Sequence, residues 1–269
     1  MATTTSLCTH LSDVGCESVL TNNYALINSD CVDAMKSMQD AFFDLIFADP
    51  PYFLSSGGTS CSGGKRVPVD KGDWDRARSP EEVHNFNMRW LTESYRILKD
   101  TGSIFVCGSF HNIFDVGICL TEIGFQIRNM ITWQKTNPPP NLACRSFKHS
   151  TEFIIWAVKD KSKYFFNYDL MKELNGGKQM TDVWTGALTP RSEKHFGKHP
   201  TQKPTYLLDR IIQAASQQGD WVLDPFCGSG TTGVVAAQNS RNFVGIDISN
   251  EYIELSRNRI NHEINVIVE

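Results

Sequence analysis

Nine residues, Asp224-Pro225-Phe226-Cys227-Gly228-Ser229-Gly230-Thr231-Thr232, constrain this chain more than any other stretch, because they turn the apolar run Trp221–Asp224 directly into the helix-patterned run Thr231–Gln238. Glycines lack Cβ atoms, so they allow a tight turn and let a ligand lie against the backbone, while the start of the helix offers free N–H donors. Asp247 ends the next apolar run, 17 positions after Gly230, near the spacing of roughly 20 at which an acidic residue meets ribose hydroxyls in nucleotide folds. Together they predict a site for an adenosine-type ligand. Glycine used for packing alone is the plainer reading of such a turn. A phosphate-binding loop is disfavoured, since no Gly-Lys-Ser/Thr follows.

The same alternation of apolar run, punctuation and helical pattern extends over most of the 269 residues. Strands are predicted at 24–28, 43–48, 103–107, 126–133, 221–224 and 242–247. Helices are predicted at 32–39, from Ser79-Pro80-Glu81-Glu82 to about Leu98, at 112–122, 205–215, 231–238 and 250–262. Residues 55–75, rich in Gly and Ser, read as a long mobile loop. This is the pattern of a three-layer α/β fold with a mostly parallel sheet. Between 136 and 197 the alternation weakens, with Pro138-Pro139-Pro140 and lysines at 159, 161 and 163, and the segment reads as an insert between a first half, 20–135, and a second, 198–265. Phe153–Val158 remains open as a sheet strand inside it.

Asp49-Pro50-Pro51-Tyr52 follows the strand 43–48, at the carboxyl end where α/β folds place ligands. Two prolines stiffen the backbone and fix the direction of the Pro50 carbonyl. A carboxylate beside an aimed carbonyl accepts both hydrogens of an exocyclic amine, and the tyrosine ring can stack on the base that bears it. A strand-ending turn with a core tyrosine is the competing account.

Composition narrows the class further. No apolar run reaches the roughly 18 residues of a spanning helix, and the polar start lacks the pattern of a secretory signal, so a cytoplasmic protein without a membrane partner is expected. Eight cysteines without a CxxC pair read as free thiols, and no metal site is expected. The net charge of −4 hides a segregation: residues 1–50 hold one basic and seven acidic side chains, residues 204–269 four and eight, and the middle 21 and 15. Acidic ends around a basic centre suit a chain whose middle faces a polyanion.

Taken together, DPPY at 49–52 and FxGxG at 226–230 resemble the amino-methyltransferases that move a methyl group from S-adenosylmethionine to an exocyclic nitrogen of a DNA base. DPPY precedes FxGxG, as in the permuted beta-class arrangement. The resemblance runs from about Tyr24 to His262. It is strongest to the smaller GATC adenine methyltransferases of DpnII-type restriction systems, through FADPPYFLSSGG, VDKGDWD, TWQKTNPPPNLACR, NYDLMKEL, DVWTG and HPTQKP. It implies a Rossmann-like methyltransferase fold with circularly permuted motif order, and a target-recognition role for 136–197.

The resemblance also implies roles. Asp49 and the Pro50 carbonyl, stiffened by Pro51, hold the target amine, and Tyr52 stacks on the flipped base. Asp224, Phe226, Gly228 and Gly230 pack round the cofactor, Asp247 binds its ribose, Asp30 its adenine, and Thr201 and Lys203 its carboxylate. For Asp30 a helix N-cap, and for Lys203 a solvated lysine, are the rival readings. A leading Asp favours adenine N6 over cytosine N4. The implied partner is DNA, duplex and also single-stranded, and a homodimer stays open. An RNA amino-methyltransferase and a non-catalytic nucleic-acid-binding subunit are the alternatives. Trp133 and Phe147 are candidate stacking groups, with core packing as the plainer account.

Overall fold

The computed structural model describes residues 18–20, 24–53, 59–62, 65–68, 76, 79–141, 144–197 and 199–268. In chain order the first elements are β1 (Ser18–Leu20), β2 (Tyr24–Asn28), α1 (Cys31–Lys36), β3 (Phe43–Ala48), β4 (Thr59–Ser62), β5 (Lys65–Pro68) and α2 (Pro80–Ile97). Then come β6 (Leu98–Gly108), α3 (Ile113–Ile123), β7 (Gln126–Lys135), β8 (Thr151–Val158), α4 (Tyr168–Leu174) and β9 (Val183–Gly186). The chain closes with α5 (Thr205–Ala215), β10 (Trp221–Asp224), α6 (Thr231–Gln238), β11 (Asn242–Asp247) and α7 (Asn250–Val268).

Among the described residues, nine strands form one sheet in the order β1-β2-β11-β10-β3-β6-β8-β7-β9. The run β2-β11-β10-β3-β6 is parallel throughout, whereas β8 is antiparallel to both β6 and β7. Strands from the end of the chain, β10 and β11, lie between β2 and β3. That is the permuted order which the motifs implied.

Side chains alternate across the parallel strands and fill two cores. Ala25, Ile27, Ile46 and Val244 pack with Trp90 and Leu91 of α2 on one face. Tyr24, Leu26, Leu45 and Phe243 pack with Leu208 of α5 and Val235 of α6 on the other. The result is three layers. Residues feed helices locally as expected: Ser79 Oγ accepts from Glu82 N at 3.2 Å, Glu82 Oε2 accepts from Ser79 N at 2.8 Å, and Pro80 opens α2.

Four expectations change. β6 begins at Leu98, not at Ser103, because Lys99 bonds Asp44 of β3 at 2.6 Å and Lys159 Nζ donates to the Leu98 carbonyl at 2.8 Å, holding a polar stretch in the sheet. α7 continues past His262 to Val268. Within 55–75, residues 59–62 and 65–68 pair as an antiparallel hairpin, and the remainder lies outside the described residues. Segment 136–197, read as an insert, supplies two strands of the main sheet, β8 inside it and β9 at its edge beyond β7. Among the described residues, no helix is long and apolar enough to cross a membrane.

Candidate active site

β3 and β10 are parallel neighbours whose connections leave in opposite directions, β3 toward β6 and β10 toward β11. Such a switch point opens a crevice at the carboxyl ends of the strands. Asp49 and Asp224 flank it. A cavity of about 200 Å³ occupies the crevice, and its lining includes Asp30, Asp49–Phe53, Thr201–Lys203, Asp224–Ser229 and Asp247.

The glycine turn is fixed from below. Gly228 has φ +51 and Gly230 has φ +73, both left-handed. A Cβ on Gly228 would lie 3.1 Å from His199 Nε2, and one on Gly230 only 2.7 Å from Ser256 Cβ. Gly228 is thus shaped toward the cleft and Gly230 toward α7. Of the expected site residues, Gly230 alone is absent from the lining. Helix α7 grips the turn through Ser256 Oγ, which donates to Gly228 O at 2.9 Å, and Arg259 Nη1, which donates to Ser229 O at 2.6 Å.

Two carboxylates tie this turn to the strands. Asp224 accepts from Phe226 N at 3.0 Å and from Thr232 Oγ1 at 2.5 Å. Burial pushes its carboxyl up to about 7, helped by the charges of Asp49 and Asp247 and only partly opposed by its two hydrogen bonds. Asp247 accepts from Gly228 N at 2.8 Å and from Ser249 N at 2.9 Å, and burial raises it as well. Asp30 is exposed at the rim and caps α1, accepting from Val32 N at 2.9 Å and Asp33 N at 3.3 Å. The N-cap reading of Asp30 is therefore correct in geometry, and the residue faces the cleft besides.

Asp49 is the centre of a second network. Its Oδ1 accepts from the Tyr52 hydroxyl at 2.8 Å and its Oδ2 from Lys203 Nζ at 2.5 Å. Lys203 is 7% exposed, so it is not a solvated lysine. Burial alone would lower its pKa, but Asp49 and Glu152 raise it overall. Tyr52 is half-buried and outside the core clusters, with its hydroxyl pushed well up by burial and by Asp49. Phe53, at φ +54, packs edge-on to Phe86, with ring centroids 5.4 Å apart. Phe86 in turn meets Phe226, which stands edge-on to Trp90 at 5.2 Å, so an aromatic wall runs along the cleft.

Sequence reasoning missed Glu152, Ser256 and Arg259. Glu152 Oε2 lies 3.5 Å from Lys203 Nζ, and its other oxygen pairs with Lys135. Its signal was a lone carboxylate ahead of the apolar run Phe153–Val158. The basic residues of the middle segment divide. Lys135 and Lys159 are spent on internal ion pairs, whereas Arg145, Lys148, Lys161, Lys163 and Arg191 are exposed. Lys198 lies outside the described residues. Trp133 is core, donating to Tyr206 OH at 2.7 Å, while Phe147 is 96% exposed. The cysteines with described side chains, Cys31, Cys107, Cys119, Cys144 and Cys227, are free thiols.

The cleft suits a cationic ligand. Among the described lining residues stand four carboxylates, Asp30, Asp49, Asp224 and Asp247, against the single ammonium of Lys203. Gln202 Oε1, also on the lining, is buried without a hydrogen-bond partner and so offers an acceptor to an incoming donor.

A three-layer α/β fold with an acid-proline-proline-tyrosine turn opposite a glycine turn at the switch point is what the resemblance to the methyltransferases implied. Residues 43–258 match the DNA methylase family of N6 and N4 enzymes, and the chain belongs to that family. It is similar to the type II methyltransferase M2.DpnII of Streptococcus pneumoniae, at 56% identity over 244 residues, covering 90% of this chain and 91% of that protein. M2.MboI of Moraxella bovis is 47% identical over 247 residues, covering 91% and 90%. Among solved structures, an M1.HpyAVI–SAM complex superposes with a TM-score of 0.66 at 27% identity, over 88% of this chain and 99% of that one. The cytosine-N4-specific PvuII methyltransferase superposes with a TM-score of 0.72 at 19% identity, over 92% and 93%, a likeness of fold.

Proposed function

We propose that this DNA methylase transfers a methyl group from S-adenosylmethionine to the N6 amine of adenine in a specific sequence, GATC, as part of a restriction-modification system. The observation that carries the reading is Asp49, held at the cleft between Tyr52 and Lys203 and followed by two prolines. S-adenosylmethionine supplies an electrophilic methyl on a sulfonium, and Asp247, Asp224, Gly228, Phe226, Thr201 and Asp30 are the residues that would hold it.

An aromatic amine is a poor nucleophile because its lone pair is delocalised into the ring. Asp49 and the Pro50 carbonyl, accepting its two hydrogens, favour a more tetrahedral nitrogen and stabilise the positive charge that develops there. Asp49 acts chiefly through its charge, because the nitrogen becomes acidic only after its new bond has formed. Tyr52 offers a face to the extruded base. In a duplex that extrusion costs a few kcal/mol, which a single strand largely avoids, so the reading includes single-stranded DNA as a substrate and assigns the segment 136–197 to target recognition.

The test is product analysis. GATC oligonucleotides, duplex and single-stranded, are methylated with labelled cofactor, digested to nucleosides and separated. N6-methyladenine is expected, and N4-methylcytosine as the product would overturn the reading. Asp49→Ala should abolish incorporation while calorimetry still detects cofactor binding.

A further inference from the structure

Asp49 must accept a hydrogen bond from the target amine, yet both of its oxygens are engaged, Oδ1 by Tyr52 and Oδ2 by Lys203. Lys203 cannot simply let go. A buried ammonium stripped of its partner is strongly destabilising, and Lys203 is only 7% exposed.

Glu152 stands ready on the other side of the same ammonium. Its Oε2 is buried, has no hydrogen bond, and lies 3.5 Å from Lys203 Nζ, against 2.5 Å for Asp49 Oδ2. Its Oε1 is fixed by Lys135, so the carboxylate is aimed and cannot swing away. Burial would push the Glu152 carboxyl up, but Lys203 and Lys135 outweigh it and hold it below the ordinary range. The four groups, Asp49, Glu152, Lys135 and Lys203, balance two negative charges with two positive ones.

We propose that Glu152 is a positioning residue that takes over the Lys203 ammonium when the target amine occupies Asp49 Oδ2. The exchange moves one hydrogen bond and no proton. It frees the catalytic carboxylate for the base while the ammonium stays paired. The inference rests on Asp49 being the acceptor of the amine.

Glu152→Gln keeps the shape and removes the charge, and Glu152→Asp keeps the charge on a shorter stem. In single-turnover methylation of a GATC duplex, Glu152→Gln should be slower by on the order of tenfold to a hundredfold, the worth of one charge-assisted hydrogen bond. Cofactor affinity by calorimetry should stay near wild type, melting temperature should fall in Glu152→Gln because Lys135 loses its counter-charge, and Glu152→Asp should recover part of the rate. A wild-type rate in Glu152→Gln overturns the proposal. So do equal rate losses in both variants with equally lowered melting temperatures, which would mark Glu152 as structural. Wild-type protein that methylates no amine sinks the functional reading instead, so the two failures are distinguishable.

Discussion

The backbone N–H of Gly228 donates to Asp247 Oδ2 at 2.8 Å, so the glycine turn after β10 and the end of β11 are held as one piece. Asp247→Ala therefore removes both a carboxylate on the cleft lining and a brace. Cofactor binding should weaken by roughly 1.5 to 3 kcal/mol, the range for charge-assisted hydrogen bonds. Calorimetric titration of the variant decides, and an unchanged dissociation constant removes Asp247 from the cofactor site.

Asp224 should make stability fall as pH rises. Its folded pKa, about 7, stands above its ordinary 3.8, so between these values the folded protein keeps a proton that the unfolded chain has released. Its contribution is fullest below 3.8 and is lost progressively toward 7. Asp224→Asn should flatten that part of the profile. Denaturant unfolding of both proteins from pH 4.5 to 8 measures it, and parallel profiles would show that Asp224 is already ionised. A cationic ligand beside it should also expel the proton, so cofactor affinity should rise with pH toward 7 and the titration heat should depend on the buffer.

At Tyr52 the ring and the hydroxyl do separate jobs. Tyr52→Phe loses the hydrogen bond to Asp49 and the longer one accepted from Lys203 at 3.5 Å, each of net worth about 0.5 to 1.5 kcal/mol, and should stay active. Tyr52→Ala loses the stacking face as well, roughly 1 to 3 kcal/mol per base. Because the residue is half-buried, its melting temperature should change little. A large drop in melting temperature with normal activity in the folded fraction would make Tyr52 a packing residue.

Gly230→Ala and Gly176→Ala share a left-handed φ, +73 and +66, but not their surroundings. At Gly176 nothing lies within 4 Å, so only the backbone cost of roughly 1 to 2 kcal/mol applies. At Gly230 the new methyl strikes Ser256, and overpacking adds roughly 1 to 3 kcal/mol. Melting temperatures should separate the two variants clearly. Equal shifts would mean that α7 yields.

Strands 43–48, 221–224 and 242–247 were readable to the residue because each is an apolar run stopped by an aspartate and a turn. The turns that follow them meet in one cleft, as the motifs suggested. What stayed hidden depends on strand order. Lys203 reaches Asp49 across 154 positions, and Glu152 joins them because β8 lies next to β6, ahead of β7 in the sheet. Spacing along a chain does not encode that reversal. The start of β6 was hidden for another reason: Lys99, Asp100 and Thr101 look like a loop until Asp44 and Lys159 pair with the stretch.

The reversal also sets how the loop between β7 and β8 is held. Lys135 is the last residue of β7 and Glu152 the second of its antiparallel neighbour β8, and Lys135 N donates to Ser150 O at 2.7 Å, closing the base of the segment between them. Of that segment, Arg145, Phe147 and Lys148 are exposed, whereas Thr136 and Asn137 are tied to Gly186 and Leu188 and His149 stacks on Phe110 with ring centroids 4.4 Å apart. Both ends of this exposed loop are thus anchored in the charge network that holds Asp49, through Lys135 on one side and Glu152 on the other.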